Sequence, residues 1–309
     1  MRVVVALGGN AISRRGQAVT VDNQRANLRE AASVLAGVAR SNELVITHGN
    51  GPQVGLLALQ AVASPDLPTY PLDVLGAESQ GLIGYLIELE MRNAMRHEEM
   101  LTTVLTLTEV DPDDPAFSHP QKFVGPVYED AQAHEVAART GWTFRRDGRR
   151  LRRVVASPEP VRVIPLDSCE RLLDGGHVVV AAGGGGIPVV RHSDGSLVGV
   201  EAVIDKDLSS AALAEGLRAD VLIMATDAPA LCLDWGTPHQ RELGRVGEEE
   251  LGRHRFAAGS MGPKVEAARR FVRRSGNRAV IGNLADIGGL LAGTLGTSVV
   301  PGEEVKLAH

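Results

Sequence analysis

Val3-Val4-Val5-Ala6-Leu7-Gly8-Gly9-Asn10 is the stretch that decides how this chain is built. An unbroken apolar run has no polar face, so the strand it forms is buried on both sides, as in a parallel sheet covered by helices. Two glycines then end the run, and glycine lets backbone N–H groups converge on an anion. The construction recurs twice. Leu44-Val45-Ile46-Thr47 runs into His48-Gly49-Asn50-Gly51-Pro52, and Val178-Val179-Val180-Ala181-Ala182 runs into Gly183-Gly184-Gly185-Gly186. A lone loop of this kind is as easily a turn that needs glycine. Three in one chain point to an anion site at the carboxyl ends of strands, where open α/β sheets hold their ligands.

Outward from these runs, strands are expected at 2–7, 43–47, 101–108, 161–164, 177–182, 221–225, 279–281 and 298–300. Helical spacing of apolar residues predicts helices at 22–40, 52–63, 73–97, 130–139, 208–216, 263–274 and 286–292. Pro52 and Pro263 suit first-turn positions, and Gly216 and Gly276 suit helix ends. Alternation of strand and helix makes the fold α/β. Residues 112–160 break the rhythm with Pro112, Pro115, Pro120, Pro126, Pro158 and Pro160, and Asp147-Gly148 signals a hairpin there. The segment reads as a small excursion from the sheet, followed by no clear linker.

The 309 residues hold 32 Lys+Arg against 38 Asp+Glu, a formal net charge of -6, and 3% aromatic residues. A mildly acidic, aromatic-poor chain is a poor candidate for binding nucleic acid. Apolar runs fall short of the ~18 residues of a membrane span. Cys169 and Cys232 cannot make a disulfide framework or a Cys-rich zinc site. Met1 leads straight into Val3-Val4-Val5 without a signal-peptide pattern. A cytoplasmic globular protein is the expectation. A chain of about 300 residues can bury roughly 75% of its unfolded surface, enough for one large core or two joined lobes.

The phosphate loops of common nucleotide binders are missing. The sequence has no Gly-x-x-x-x-Gly-Lys-[Ser/Thr], no Gly-x-Gly-x-x-Gly and no His-Arg-Asp loop. The lysines carry more information. Against 28 Arg stand four Lys: Lys122, Lys206, Lys264 and Lys306. Lys206 lies between Asp205 and Asp207 before a helix. Lys264 follows Gly259-Ser260-Met261-Gly262-Pro263, and Lys122 lies in the proline-rich excursion. Lysine is a compact point charge on a thin stem, able to enter a crowded site and neutralise phosphoryl oxygens. Lys306, in the charged tail, reads as solvent-exposed. The Arg-rich hairpin (Arg145, Arg146, Arg149, Arg150, Arg152, Arg153) and the row Arg269, Arg270, Arg273, Arg274 read as solvated faces. The hairpin arginines could also steer anions. The nine His show no metal-ligand spacing, and His48 reads as structuring its loop.

Seven segments, in order along essentially the whole chain, resemble the carbamate kinase branch of the amino-acid kinase family. They are Ala6-Leu7-Gly8-Gly9-Asn10-Ala11, Thr47-His48-Gly49-Asn50-Gly51-Pro52-Gln53-Val54-Gly55, Gly81-Leu82-Ile83-Gly84-Tyr85, Lys122-Phe123-Val124-Gly125-Pro126, Ala181-Ala182-Gly183-Gly184-Gly185-Gly186-Ile187-Pro188, Val203-Ile204-Asp205-Lys206-Asp207 and Ala257-Ala258-Gly259-Ser260-Met261-Gly262-Pro263-Lys264-Val265-Glu266. Many amino-acid kinases have a Lys in the first strand where this chain has Ala6. The branch it resembles also lacks that Lys and uses one from a protruding subdomain, which Lys122 matches.

The resemblance implies a three-layer αβα sandwich with a mainly parallel central sheet and a small protruding subdomain at about 112–160. It implies an acceptor lobe over about 1–200 and a nucleotide lobe over about 201–309, in a homodimer. It also implies reversible phosphoryl transfer between ATP and carbamate, giving ADP and carbamoyl phosphate, used towards ATP in arginine or related nitrogen catabolism. Gly8, Gly9, Asn10, Gly49, Asn50 and Gly51 would cradle carbamate and the moving phosphoryl group. Lys206 and Lys264 would bridge the β- and γ-phosphates, with Asp207 orienting them and Lys122 reaching in from the subdomain. Thr226, Asp227, Ser260, Met261 and Gly262 would contact the nucleotide. Mg²⁺ would be carried mainly by nucleotide phosphates, without direct protein ligands. After Thr226-Asp227 the chain departs from the family's usual aromatic string, with Ala230-Leu231-Cys232-Leu233-Asp234-Trp235, so a more aliphatic adenine environment is expected. The alternatives are a kinase of the same fold acting on another small carboxylate or phosphonate, and a non-catalytic nucleotide sensor.

Overall fold

Arg2–Leu7 lies in the middle of the main sheet of the computed structural model, which describes residues 1–14, 16–63, 69–257, 261–302 and 305–307. Across that sheet run Leu231–Leu233, Arg241–Gly247, Thr297–Val300, Arg278–Asn283, Val221–Thr226, Arg2–Leu7, Glu43–His48, His177–Val180 and Met100–Thr103. Val305–Leu307 adds to Arg241–Gly247. Every pairing from Arg278–Asn283 to Met100–Thr103 is parallel. Antiparallel pairings gather at the opposite end, where Arg278–Asn283 meets Thr297–Val300 and Leu231–Leu233 meets Arg241–Gly247.

Alternate residues of the buried strands feed two separate cores, as the two-residue period of a strand requires. Val4, Val45, Val179 and Leu222 pack with Cys169, Leu213, Ala268 and Phe271 on one face. Val3, Val5, Ile46 and Ile223 pack with Leu28, Leu35, Ile83 and Leu290 on the other. The helices Leu166–Asp174, Lys206–Gly216 and Met261–Ser275 thus cover the first face. Val21–Ala39, Leu72–Ala94 and Ile287–Ala292 cover the second. This is the three-layer α/β architecture expected from the sequence.

Local chemistry sets the helix ends. Thr20 caps Val21–Ala39 by accepting a hydrogen bond from the Asn23 N–H. Asp205 caps Lys206–Gly216 by accepting from Asp207 and Leu208. Asp130–Thr140 stops at Gly141, whose φ of 73° is the left-handed conformation glycine adopts freely. Leu166–Asp174 is a helix the sequence reading missed, although Leu166, Cys169, Leu172 and Leu173 stand at helical spacing.

The expected single strand over 101–108 is two strands. Met100–Thr103 belongs to the main sheet, whereas Leu107–Val110 joins a four-stranded sheet with Leu197–Gly199, Ile187–Arg191 and Pro160–Ile164. A chain leaving one sheet for another strands backbone groups between them, and Gln80 receives them. Its side-chain nitrogen donates to the Thr106 and Gly183 carbonyls at 3.0 and 2.9 Å, and its oxygen accepts from the Thr106 N–H at 2.9 Å. The strand expected at 177–182 stops at Val180 because Ala182 turns left-handed, with φ 50°.

The proline-rich excursion contains a third sheet of Lys122–Tyr128, Arg150–Val155 and Thr143–Asp147, packed with Asp130–Thr140. The expected hairpin is present. Asp147 pairs with Arg150, and Gly148 turns with φ 62°. Three of its six arginines are paired locally, Arg146 with Asp130, Arg150 with Glu129 and Arg152 with Asp147. Arg153 corrects the expectation of a solvated face. It is buried, stacks 3.7 Å from the Trp142 ring centroid and pairs with Glu201 at 2.9 Å. Arg270 is another correction, since it grips Glu159 through two hydrogen bonds of 2.7 and 2.8 Å.

Gln80→Leu should therefore cost about 3 kcal/mol or more, because leaving buried hydrogen-bonding groups unpaired costs about 1–3 kcal/mol each. A fall in the urea or thermal midpoint checks it, and an unchanged midpoint would mean that the sheet switch does not depend on this side chain.

Candidate active site

The three central parallel strands Val221–Thr226, Arg2–Leu7 and Glu43–His48 are in register, with Ala6 opposite both Met224 and Thr47. Their carboxyl ends therefore deliver Thr226-Asp227, Gly8-Gly9-Asn10 and Gly49-Asn50-Gly51 side by side. The contact at Gly8 is tight, for a methyl group there would sit 2.7 Å from the Ala225 carbonyl oxygen. Asn10 then donates to Asp227 at 2.7 Å, joining the first loop to the next strand end.

Gly49 lies against a lysine stem. A methyl group there would sit 3.2 Å from Lys206 Cδ. The same strand end is tied to the Lys206 helix by a 2.6 Å hydrogen bond between the Thr47 and Ser210 hydroxyls. Asn50 is buried beneath Gly184 and donates to Ser79 at 2.8 Å. With Asn10 and Asn50 each committing an amide hydrogen internally, these loops offer an anion chiefly backbone N–H groups.

Lys206 and Lys264 converge on one carboxylate. Lys206 Nζ is 2.6 Å from Asp207 Oδ1, and Lys264 Nζ is 2.9 Å from Asp207 Oδ2. All three side chains are nearly buried. The two lysines arrive at the heads of different helices, Lys206–Gly216 and Met261–Ser275, which pack against each other. Met261 and Gly262 share that second helix's first turn, and the Gly262 N–H donates to the Ala257 carbonyl. Ser260 lies outside the described residues.

Burial pushes the Asp207 carboxyl up, but the charges and hydrogen bonds of Lys206 and Lys264 outweigh it and hold it at about 2. Lys206 is lowered by burial, against the pull of Asp207 and with further lowering by Lys264. An arriving phosphate would favour its ammonium form. Burial pushes His48 down to about 4, against its hydrogen bond to the Gly49 carbonyl and with help from Lys206. The imidazole is thus neutral at neutral pH and packs on Gly183. Gly183, Gly184, Gly185 and Gly186 are wholly buried, so this third loop supports His48 and Asn50 from behind.

Lys122, from the third sheet, meets Asp205 Oδ2 at 2.8 Å. The structure thus brings Lys122, Lys206, Asp207 and Lys264 to one place and adds Asp205, which the sequence reading noticed only as a flanking charge. Its signal was the Asp-x-x pattern of a helix cap.

The sequence model of the amino acid kinase family matches residues 1–283. The chain belongs to the amino acid kinase family. Among members of this family, carbamate kinase of Rhizobium meliloti is 52% identical over 301 residues, covering 97% of this chain and 93% of that one. Carbamate kinase of Pyrococcus horikoshii is 46% identical over 312 residues, covering 97% and 99%. The solved structure of carbamate kinase from Giardia lamblia bound to AMP-PNP superposes with a TM-score of 0.91 at 38% identity, covering 97% of this chain and 98% of that one.

Asp207→Asn tests the electrostatic arrangement. The carboxyl titrates at about 2 when folded and near 3.8 otherwise. Its contribution to stability is therefore full above the unfolded value and lost as pH falls through about 2. The stability gap between wild type and Asp207→Asn should narrow by about 2 kcal/mol from about pH 6 to about pH 2. A gap constant across that range in urea unfolding would contradict the assignment.

Proposed function

We propose that this chain is a carbamate kinase, transferring a phosphoryl group reversibly between ATP and carbamate with ADP and carbamoyl phosphate on the other side. The observation that carries this reading is the pair of buried ammonium groups held on Asp207 beside the Gly49 loop, in a chain so similar to carbamate kinases along its whole length.

Phosphoryl transfer needs positioning and charge neutralisation more than covalent help from the protein. Lys206 and Lys264 supply two compact cations for the β- and γ-phosphates, and Asp207 keeps their mutual repulsion from splaying them. Backbone N–H groups of Gly8, Gly9, Asn10, Gly49, Asn50 and Gly51 would receive carbamate and the moving phosphoryl oxygens. Carbamate is already an anion, so no general base is required, in keeping with a neutral, loop-bound His48. Thr226, Asp227, Ser260, Met261 and Gly262 would contact the nucleotide, and Lys122 would act from its subdomain as a third cation.

Mg²⁺ fits as an ion carried by the nucleotide. Each Asp207 oxygen accepts from a lysine, so this carboxylate faces two ammonium groups. Bound in that way, the ion would neutralise phosphate charge alongside the two lysines. The same reading includes an acceptor lobe over about 1–200 with a lid at about 112–160, a nucleotide lobe over about 201–309, a homodimer, a cytoplasmic location and a role making ATP in arginine or related catabolism. No helix among the described residues is long and apolar enough to cross a membrane.

The protein should form ATP from ADP and carbamoyl phosphate with magnesium present, and a rate no higher than the blank would overturn the proposal. Lys206→Ala and Lys264→Ala should each lower turnover about 10²-fold or more, the size seen when a transition-state donor is lost. Turnover near wild type in either variant would remove that lysine from the mechanism. Lys122→Ala should lose less, mainly as a higher KM for carbamoyl phosphate.

A further inference from the structure

Asp205 divides its carboxylate between two tasks. Oδ1 accepts from the Asp207 N–H at 2.9 Å and the Leu208 N–H at 3.4 Å, capping the helix that begins with Lys206 and Asp207. Oδ2 accepts from Lys122 Nζ at 2.8 Å. The carboxylate is largely buried, whereas the Lys122 side chain is 37% exposed.

The backbone brings these two residues together. Lys122 pairs across its sheet with Val155, and the next residue, Ala156, bridges to Ala202. The Val203 N–H then donates to the Ala156 carbonyl, and Asp205 follows two residues later. On the same strap Glu201 holds the buried Arg153 at 2.9 Å. Residues 201–205 therefore connect the third sheet to the helix bearing Lys206.

Left to itself, the Lys122 ammonium would be unwelcome here. The start of a helix is its positive end, and Lys206 and Lys264 add two more cations nearby. Asp207 gives one oxygen to Lys206 and the other to Lys264, and Lys122 bonds to Asp205 instead. Only the second oxygen of Asp205 offsets this repulsion among the contacts of the described residues.

We propose that Asp205 is a positioning residue, holding the Lys122 ammonium beside the Lys206–Asp207–Lys264 cluster while capping the helix that carries the first two of these. The kinetic part of this proposal rests on the phosphoryl-transfer reading above. The cap and the grip use different oxygens, so they can be separated. Asparagine caps helices about as well as aspartate and keeps an oxygen for Asp207 and Leu208. Its amide nitrogen would face the ammonium with a donor instead of an acceptor.

The test compares wild type, Asp205→Asn, Lys122→Ala and the double variant. With ADP and carbamoyl phosphate, Asp205→Asn should lower kcat/KM about five- to tenfold, mostly through KM. The double variant should fall within about twofold of Lys122→Ala, as expected for residues acting as one unit. The thermal midpoint of Asp205→Asn should stay close to wild type, because the cap survives. Wild-type kinetics in Asp205→Asn, or losses that multiply in the double variant, would overturn the proposal.

A second readout does not depend on the reaction. With four lysines in the chain, trace acetylation by acetic anhydride, read by mass spectrometry against an added lysine peptide, follows Lys122 directly. Its labelling should rise about threefold or more in Asp205→Asn, since the oxygen that occupies the ammonium is gone. Unchanged labelling would overturn the grip even in a protein with no carbamoyl phosphate activity. Raised labelling without such activity would sustain the grip and strike only the functional reading.

Discussion

One buried carboxylate between two buried ammonium groups is the constraint on which the site depends. Two lysines this close repel strongly where water is scarce, and each loses hydration on burial. Asp207 makes the arrangement possible, with one oxygen for Lys206 and the other for Lys264. Because the lysines head different helices, the carboxylate also ties those helices together above the ends of the central strands. Gly49 lies close against the Lys206 stem, where a side chain would meet it.

The division of labour between arginine and lysine has a geometric basis. Arginine is used where a planar fork meets a carboxylate. Arg191 on Glu109, Arg146 on Asp130 and Arg270 on Glu159 all bind through two nitrogens. Lys206 and Lys264 stand where two point charges must share a small volume. A net charge of -6 is compatible with anionic substrates because the charge that matters is local. Lys122, Lys206 and Lys264 outnumber Asp205 and Asp207 at the one place where phosphates would bind.

The layering of the sheet was partly legible. Runs such as Val3-Val4-Val5 have no polar side, so their double burial and the three-layer class follow from the residues alone. The break within 101–108 was not legible, because a run of Leu, Val and Thr suits a strand throughout and carries no mark of which sheet it joins. That switch is satisfied by Gln80, distant in sequence and distinguished only by being a polar residue on a buried helix face. Arg153 was misread for a related reason. It sits among arginines that are exposed, and only the arrival of Trp142 and Glu201 makes its position an interior one.

By itself the sequence determined which chemical groups were available and where the chain would turn. The scarcity of lysine, the glycine loops after apolar strands and the cap-like Asp205 are local properties, set by composition and by backbone preference over a few residues. Tertiary structure decided which of those groups meet. That Asp207 is shared by Lys206 and Lys264, that Asn50 faces Ser79, and that Lys122 rests on Asp205 depends on contacts between residues far apart in the chain. Such contacts arise only when strand order and helix packing bring separate segments together, and no short window of sequence contains that information.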